Sequence, residues 1–508
     1  MSGLNHQFAK LTEVDRALVA GYHNQKARAL KVAMMVNLGK ADGMAELIEE
    51  SIEQDGFNYG VLWEAGERER IIELMHGNPL NYHELALDYA QAGLNDRALA
   101  VLDLAIEVGA VNSMTYYYKT WLTSEVSPLP NTPLPICFPN RLEDILALNR
   151  VMEIDEHDGQ APYLLGCLYY DKRQYDEAIR LWECSAKLNP TFPIVWRNLA
   201  LAAYNKQNDK QKALELMEKA FHLDETNSRI LMELDQLKKA LGLPHIERLS
   251  SLQKHYGLIQ ERDDLILEEI TLLNQVGRYE EAMSKLDAHK FHPWEGGEGK
   301  VPAQYQISRV EQVKRLLMQN NPQPDKALAL LEQCLEYPHH LGEGKLYGAQ
   351  ENDFYYLMAL VYEQMGETEK MHECLLKATE GPTEPAAAMY YNDAKPDKIF
   401  YAALAYRKLG DEKKARSLFY RLLDYGEKHI FDEVRMDYFA VSLPDLLIWD
   451  GDLQLKNTIH CTLMMALGHI GLGHNDKGLR YLAEVESLDI NHPVPPALRT
   501  LLPMISNS

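Results

Sequence analysis

Apolar positions along the chain recur at three- and four-residue spacing and are punctuated by glycine at regular points. Residues 81–110 read NYHELALDYAQAGLNDRALAVLDLAIEVGA. Leu85, Ala86 and Tyr89 share one face of a first helix, and Ala98, Leu102 and Ala105 share one face of a second, because a period near 3.6 returns such positions to the same side. Gly93 falls between them, where helices commonly end in the left-handed conformation. The small Ala86 and Ala98 permit close approach of the two helices, so the segment predicts an antiparallel helix hairpin.

The hairpin repeats. The thirteen-residue interval from Leu85 to Ala98 returns from Leu165 to Ala178, Glu269 to Ala282, Met358 to Met371, Ala402 to Ala415 and Met465 to Gly478. The glycine five places before the second residue of each pair returns as Gly277, Gly366, Gly410 and Gly473. Arg173 and Asn208 stand in for it elsewhere, of which asparagine tolerates a left-handed turn the better. From Leu199 to Ala213 the interval is fourteen, which places the extra residue in the polar turn Asn205–Lys210. Leu30 to Ile52 reads as a further pair turning at Gly39.

Between Thr123 and Asn140 the run SPLPNTPLPICFPN cannot be helical, since proline lacks the amide hydrogen and clashes with the preceding turn. The organisation expected is N-terminal helical repeats over 1–122, a proline-rich connector over 123–140, regular repeats over 141–290, and looser repeats with long loops over 291–508. The fold expected is all-α, a right-handed superhelical solenoid of roughly ten to twelve hairpins with its concave surface as the default binding face.

One stretch is duplicated in letter as well as in register. Phe291–Lys300 reads FHPWEGGEGK, and its last four residues return forty-five positions later as Gly342–Lys345 within YPHHLGEGK. Ala282 and Leu286 precede the first copy as Ala327 and Leu331 precede the second, so helix and following loop repeat together. Stacking then brings both loops to one edge, with Glu298 and Lys300 beside Glu343 and Lys345. His292 and Trp294 adjoin the first loop, and His339 and His340 the second. Carboxylates, an aromatic face and adaptable backbone suit a sugar or a polar peptide. In the competing reading the glycines serve only as turns, and Glu and Lys pair across the stack. GEGK is not a phosphate loop, for it lacks the GxxxxGK[ST] spacing and a preceding strand.

Composition narrows the partners. A net charge of −23 over 508 residues repels phosphate backbones, and no basic stripe is present. Nucleic acid and anionic membrane surfaces are therefore poor ligands. No apolar run approaches the roughly eighteen residues of a membrane helix, and the first thirty residues lack a signal pattern, so a cytoplasmic location is expected. The cysteines at 137, 167, 184, 334, 374 and 461 form no CxxC pair. Four of them, Cys167, Cys184, Cys334 and Cys374, sit in helical apolar patterns as small hydrophobes. No metal site and no cofactor are expected.

The repeated pattern resembles the tetratricopeptide repeat. The best copy runs from Gly159 to Phe192 with Leu165, Gly166, Tyr169, Ala178, Trp182 and Pro190 on the family's positions, followed by one with Trp196, Leu199, Ala200, Ala213 and Ala220. A second resemblance rests on FPNRLED (138–144), APYLLGCLYYDKR (161–173), RNLALAAYNK (197–206), RDDL (262–265), FHPWEGGEGK, LGEGKL, YYND (390–393) and DYFAVSLPDLL (437–447). Together they resemble the C-terminal half of a bacterial family of large proteins whose N-terminal half is a β-rich, mutarotase-like domain. That domain is absent here. The resemblance implies a fragment or a stand-alone relative, with a β-rich carbohydrate-active domain among its possible partners.

Further candidate ligand-binding residues are Glu295, Asn352, Asp353, Tyr390, Asn392, Asp393, Asp437 and Tyr438, which alternate carboxylates and amides with aromatic rings as a carbohydrate groove would. Tyrosines at such spacing also serve as packing residues with one wet end. Asp263 and Asp264 open a helix and complement its positive end. No HExxH, GxSxG or dinucleotide glycine pattern occurs. The function expected is a non-enzymatic scaffold that binds a protein partner through the concave face and inter-repeat loops. The alternative is an accessory part of a carbohydrate-processing protein, completing a sugar site with loop carboxylates and Trp294.

Overall fold

The computed structural model describes residues 2–294, 296–387, 393–434 and 448–506. It divides into two compact units, residues 1–199 and 200–508. The first contains α1 (Ser2–Ala20), α2 (Gln25–Asn37), α3 (Met44–Gln54), α4 (Tyr59–Glu64), α5 (Arg68–Met75), α6 (Pro79–Gln91), α7 (Asn95–Glu107), α8 (Ser113–Thr123), α9 (Leu142–Ile154), α10 (Gln160–Asp171) and α11 (Tyr175–Leu188), and the division falls within α12 (Pro193–Asn205). The second continues with α13 (Lys210–Leu223), α14 (Ser228–Ala240), α15 (His245–Gln253), α16 (Tyr256–Ile259), α17 (Asp263–Gln275), α18 (Tyr279–Ala288), α19 (Lys300–Met318) and α20 (Pro324–Cys334). A 3-10 turn (His339–Leu341) follows, then α21 (Asn352–Met365), α22 (Thr368–Ala378), α23 (Pro396–Lys408), α24 (Glu412–His429), α25 (Leu453–Gly471), α26 (Asn475–Leu488) and α27 (Val494–Ser506). Among the described residues, no helix is long and apolar enough to cross a membrane.

The turns obey the spacing of the sequence. Gly93, Gly277, Gly366, Gly410 and Gly473 all have positive φ, and Arg173 (φ 61°) and Asn208 (φ 52°) adopt the same left-handed turn without being glycine. Ala98, Ala178, Ala282 and Ala415 have no exposed surface, so the small residues lie where paired helices touch. Gly166 shows why a side chain is excluded there: a Cβ would stand 2.6 Å from the Trp182 ring. In unit 1 the core gathers Tyr82, Leu85, Leu102, Tyr117, Leu148 and Leu165, and in unit 2 Leu331, Leu357, Phe400, Phe419 and Leu467. All six cysteines are free thiols, and burial pushes that of Cys334 up to about 12.

In unit 2 the first helices of successive hairpins pack side by side, α17 with α19, α21 with α23 and α23 with α25. Two differences from the sequence reading concern this unit. The first of the long loops expected over 291–508 is short, because α19 already starts at Lys300 behind the left-handed Gly299 (φ 74°). Pro302 then sits in the first turn, where a missing amide hydrogen costs nothing. Nor does the chain leave the first-helix face bare. Ile448–Asp450 rests on the end of α12 and on α14, Asn491 on α14 and α17, and α27 on α19.

Candidate functional site

The two copies of the duplicated loop meet. The Phe291 amide donates to the His340 carbonyl at 2.8 Å, and the Gly299 amide donates to Glu343 Oε2 at 2.7 Å. Gly342 (φ 76°) crosses so close to Phe291 that a Cβ there would lie 2.6 Å from its carbonyl oxygen. Gly297 likewise lies against Trp294, whose ring would stand 2.3 Å from an added Cβ. These glycines are required because backbone and indole pack directly onto them, beyond what a turn alone demands.

The loops enclose a cavity of about 320 Å³ lined by His292, Pro293, Trp294, Gly297, Glu298, Val301, Leu341 and Glu343. Apolar Val301 and Leu341 form its buried floor. Burial, together with the Glu298 charge, pushes the Glu343 carboxyl above the usual carboxylate range despite the Gly299 hydrogen bond. Behind the lining, Asp263 anchors the first loop: its Oδ1 lies 2.7 Å from His289 Nε2, and its Oδ2 accepts the His292 amide at 2.7 Å and lies 3.0 Å from His292 Nδ1. Burial opposes ionisation of Asp263, but these hydrogen bonds outweigh it and hold the carboxyl below its ordinary range. The His292 ring is thereby oriented while staying largely exposed.

The other sequence candidates divide by position. His292, Trp294, Glu298 and Glu343 come together in the cavity. Lys300 opens α19 and is exposed. Lys345 turns away to the Leu335 carbonyl (2.9 Å) and to Glu351 (2.5 Å), so its ion pair stays within its own loop and does not run across the stack. Asn352 and Asp353 bind the protein itself. Asn352 donates to the Ala378 and Glu380 carbonyls at 2.9 and 2.7 Å, and Asp353 pairs with Lys398 at 2.5 Å. Asp393 accepts from Gln350 through its carbonyl at 3.3 Å. Glu295, Tyr390, Asn392, Asp437 and Tyr438 lie outside the described residues.

Asp263 is the member of this site that sequence reasoning assigned to another task. As the first residue of α17 it matches a helix-end acid, and nothing in the local pattern announces partners 26 and 29 positions away. Val301 and Leu341 carry no sequence signal either, since each is a lone apolar residue at the edge of a glycine-rich loop, one opening α19 and the other closing the 3-10 turn.

The family model of the tetratricopeptide repeat matches residues 353–380, which is the α21–α22 hairpin within one to two residues. Among solved structures, the chain is similar to YrrB, described as a TPR protein with an unusual peptide-binding site. The identity is 15% and the TM-score 0.26, over 46% of this chain and 90% of that one. It is also similar to the TPR domain of P58(IPK), at 14% identity and TM-score 0.21 over 81% and 96% of the two chains. A third similarity is to the APC/C hetero-tetramer Cut9–Hcn1, at 13% identity and TM-score 0.28 over 74% and 84%.

Proposed function

Taking the chain as a helical repeat protein that carries a tetratricopeptide repeat, we propose that it is a non-enzymatic interaction scaffold whose paired-loop cleft receives a protein segment. The observation that carries this reading is the mutual clasp of the two loops through Phe291–His340 and Gly299–Glu343. A cleft fixed by one backbone bond and one bond from backbone to carboxylate is formed before any ligand arrives, which spares a partner the ordering cost that weakens binding to loose loops. Its rim offers Glu298 and the Trp294 ring on a chain of net charge −23. A lysine or arginine side chain meets both features, by ion pairing and by stacking over the indole.

The test uses labelled decapeptides rich in Lys/Arg or in Glu, followed by fluorescence anisotropy. Basic peptides should bind, more weakly as salt rises, and the double variant Glu298→Lys with Glu343→Gln should reduce affinity about tenfold or more, because it sets a like charge on the rim against the peptide and removes a second carboxylate. Equal binding by the altered and unaltered chains, or preference for the acidic peptides, would refute the proposal. The sugar alternative is favoured by one observation, the placing of Trp294 with two carboxylates in one cavity. A thermal-shift screen against oligosaccharides tests it, since a ligand of the folded state raises the melting temperature.

A further inference from the structure

A second place in unit 2 already holds a peptide. Residues 448–450 belong to no helix, yet they are gripped by the end of α12 and by α14. The Asn205 carboxamide spends both of its hydrogen-bonding ends on the main chain around Trp449: Nδ2 donates to the Ile448 carbonyl at 2.7 Å, and Oδ1 accepts the Asp450 amide at 2.8 Å. Between these anchors the Trp449 side chain is only 2% exposed. Its indole nitrogen donates to the Glu233 carbonyl at 3.0 Å, and its ring meets Tyr204 edge-on at 5.4 Å. Lys206 pairs with the exposed Asp450 at 3.1 Å.

This is the chemistry by which a groove recognises an extended segment. A carboxamide that pairs with the carbonyl before and the amide after one residue reads backbone irrespective of side chain. Specificity then comes from the indole pocket and from Lys206 beside it. We infer that Tyr204, Asn205, Lys206 and the Glu233 carbonyl form a recognition site for an extended protein segment bearing tryptophan followed by an acidic residue, with Ile448–Asp450 as its intramolecular occupant. Because the occupant is tethered, it acts at a high effective concentration and holds off free segments of the same kind. A partner engages by displacing it. The inference rests on the scaffold reading but uses a different surface, so neither test bears on the residues of the other.

The experiment uses the full chain and a fluorescein-labelled peptide of residues 448–452, IWDGD. Trp449→Ala vacates the indole pocket, and the peptide should bind this variant at least about tenfold more tightly than the unaltered chain. Adding Asn205→Ala should remove about a further tenfold by deleting both backbone hydrogen bonds, and the peptide IADGD should not bind. If Trp449→Ala fails to fold by circular dichroism, Asp450→Lys takes its place. Asp450 is exposed, and the change sets like charge against Lys206, so peptide affinity should rise with the fold kept. Equal affinity for altered and unaltered chains, or indifference to Asn205→Ala, overturns the site. Finding that Trp449→Ala and Asn205→Ala chains associate with each other in sedimentation would assign it to a second copy and overturn the partner proposed.

Discussion

Replacing Arg248 by methionine tests how unit 2 is held together. Arg248 has no exposed surface. Its guanidinium binds Asp235 at 2.6 and 3.2 Å, Glu268 at 2.5 Å and the Asn491 side chain at 3.2 Å. Glu268 also receives Lys239 at 3.0 Å. Burial raises the Glu268 pKa, but the Lys239 and Arg248 charges overcome it and bring the carboxyl from 4.5 down to about 2. Methionine keeps most of the side-chain volume while leaving Asp235 buried without its cation, a loss that typically costs about 3–5 kcal/mol.

Hydrogen exchange read by mass spectrometry reports the effect locally. Amides of α14, α15 and α17 should lose about a hundredfold or more in protection, since each tenfold corresponds to about 1.4 kcal/mol. Asp235→Leu added to Arg248→Met removes the stranded charge, and protection should recover most of the way. A single-variant loss of less than threefold, or a double variant worse than the single, would refute the view that this ion network secures the region.

Two further outcomes follow from particular contacts. A Cβ on Gly471 would lie 2.1 Å from the Phe419 ring, whereas Gly473 (φ 84°) faces open space; Gly471→Ala should therefore cost about 1–3 kcal/mol in urea unfolding, and Gly473→Asn only a few tenths. In unit 1, burial and the Arg141 charge lower the His83 pKa from 6.5 to about 4, with His83 Nε2 2.8 Å from Thr115 Oγ1. The folded unit then binds fewer protons than the unfolded chain between those values, so stability is full above pH 6.5 and falls by up to about 3 kcal/mol as pH drops to 4. His83→Asn should flatten that slope in unfolding curves recorded across the range; an unchanged slope would place its cause elsewhere.

The repeat architecture was legible because one physical constraint recurs. Helices that touch need small residues at the contact, and tight turns between them need a left-handed residue, so Ala98, Ala178 and Ala282 and the glycines ahead of them announce their positions. Even Arg173 and Asn208 were found by register, although their types conceal the turn. The meeting of the duplicated loops was legible for the same reason, as stacking copies geometry along with sequence. Which way each side chain faces was not. Glu343 turns inward to the Gly299 amide while Glu298 stays exposed, and the two lysines part company, because the first copy winds into α19 and the second remains a loop. The grip of Asn205 on residue 450 had no signal at all, since the two are 245 positions apart and belong to no common period.

An open stack of hairpins obeys nearest-neighbour rules, and removing its last member leaves the first ones almost undisturbed. Unit 2 escapes that simplicity. Asn491 reaches back 252 positions to the Lys239 carbonyl, and Lys314 donates to the Ala497 carbonyl 183 positions ahead. The end of α14 and the middle of α19 thus share hydrogen bonds with residues 491 and 497 in addition to those made with their sequence neighbours. Trimming from the C-terminus should loosen α14 and α17 before it loosens α22.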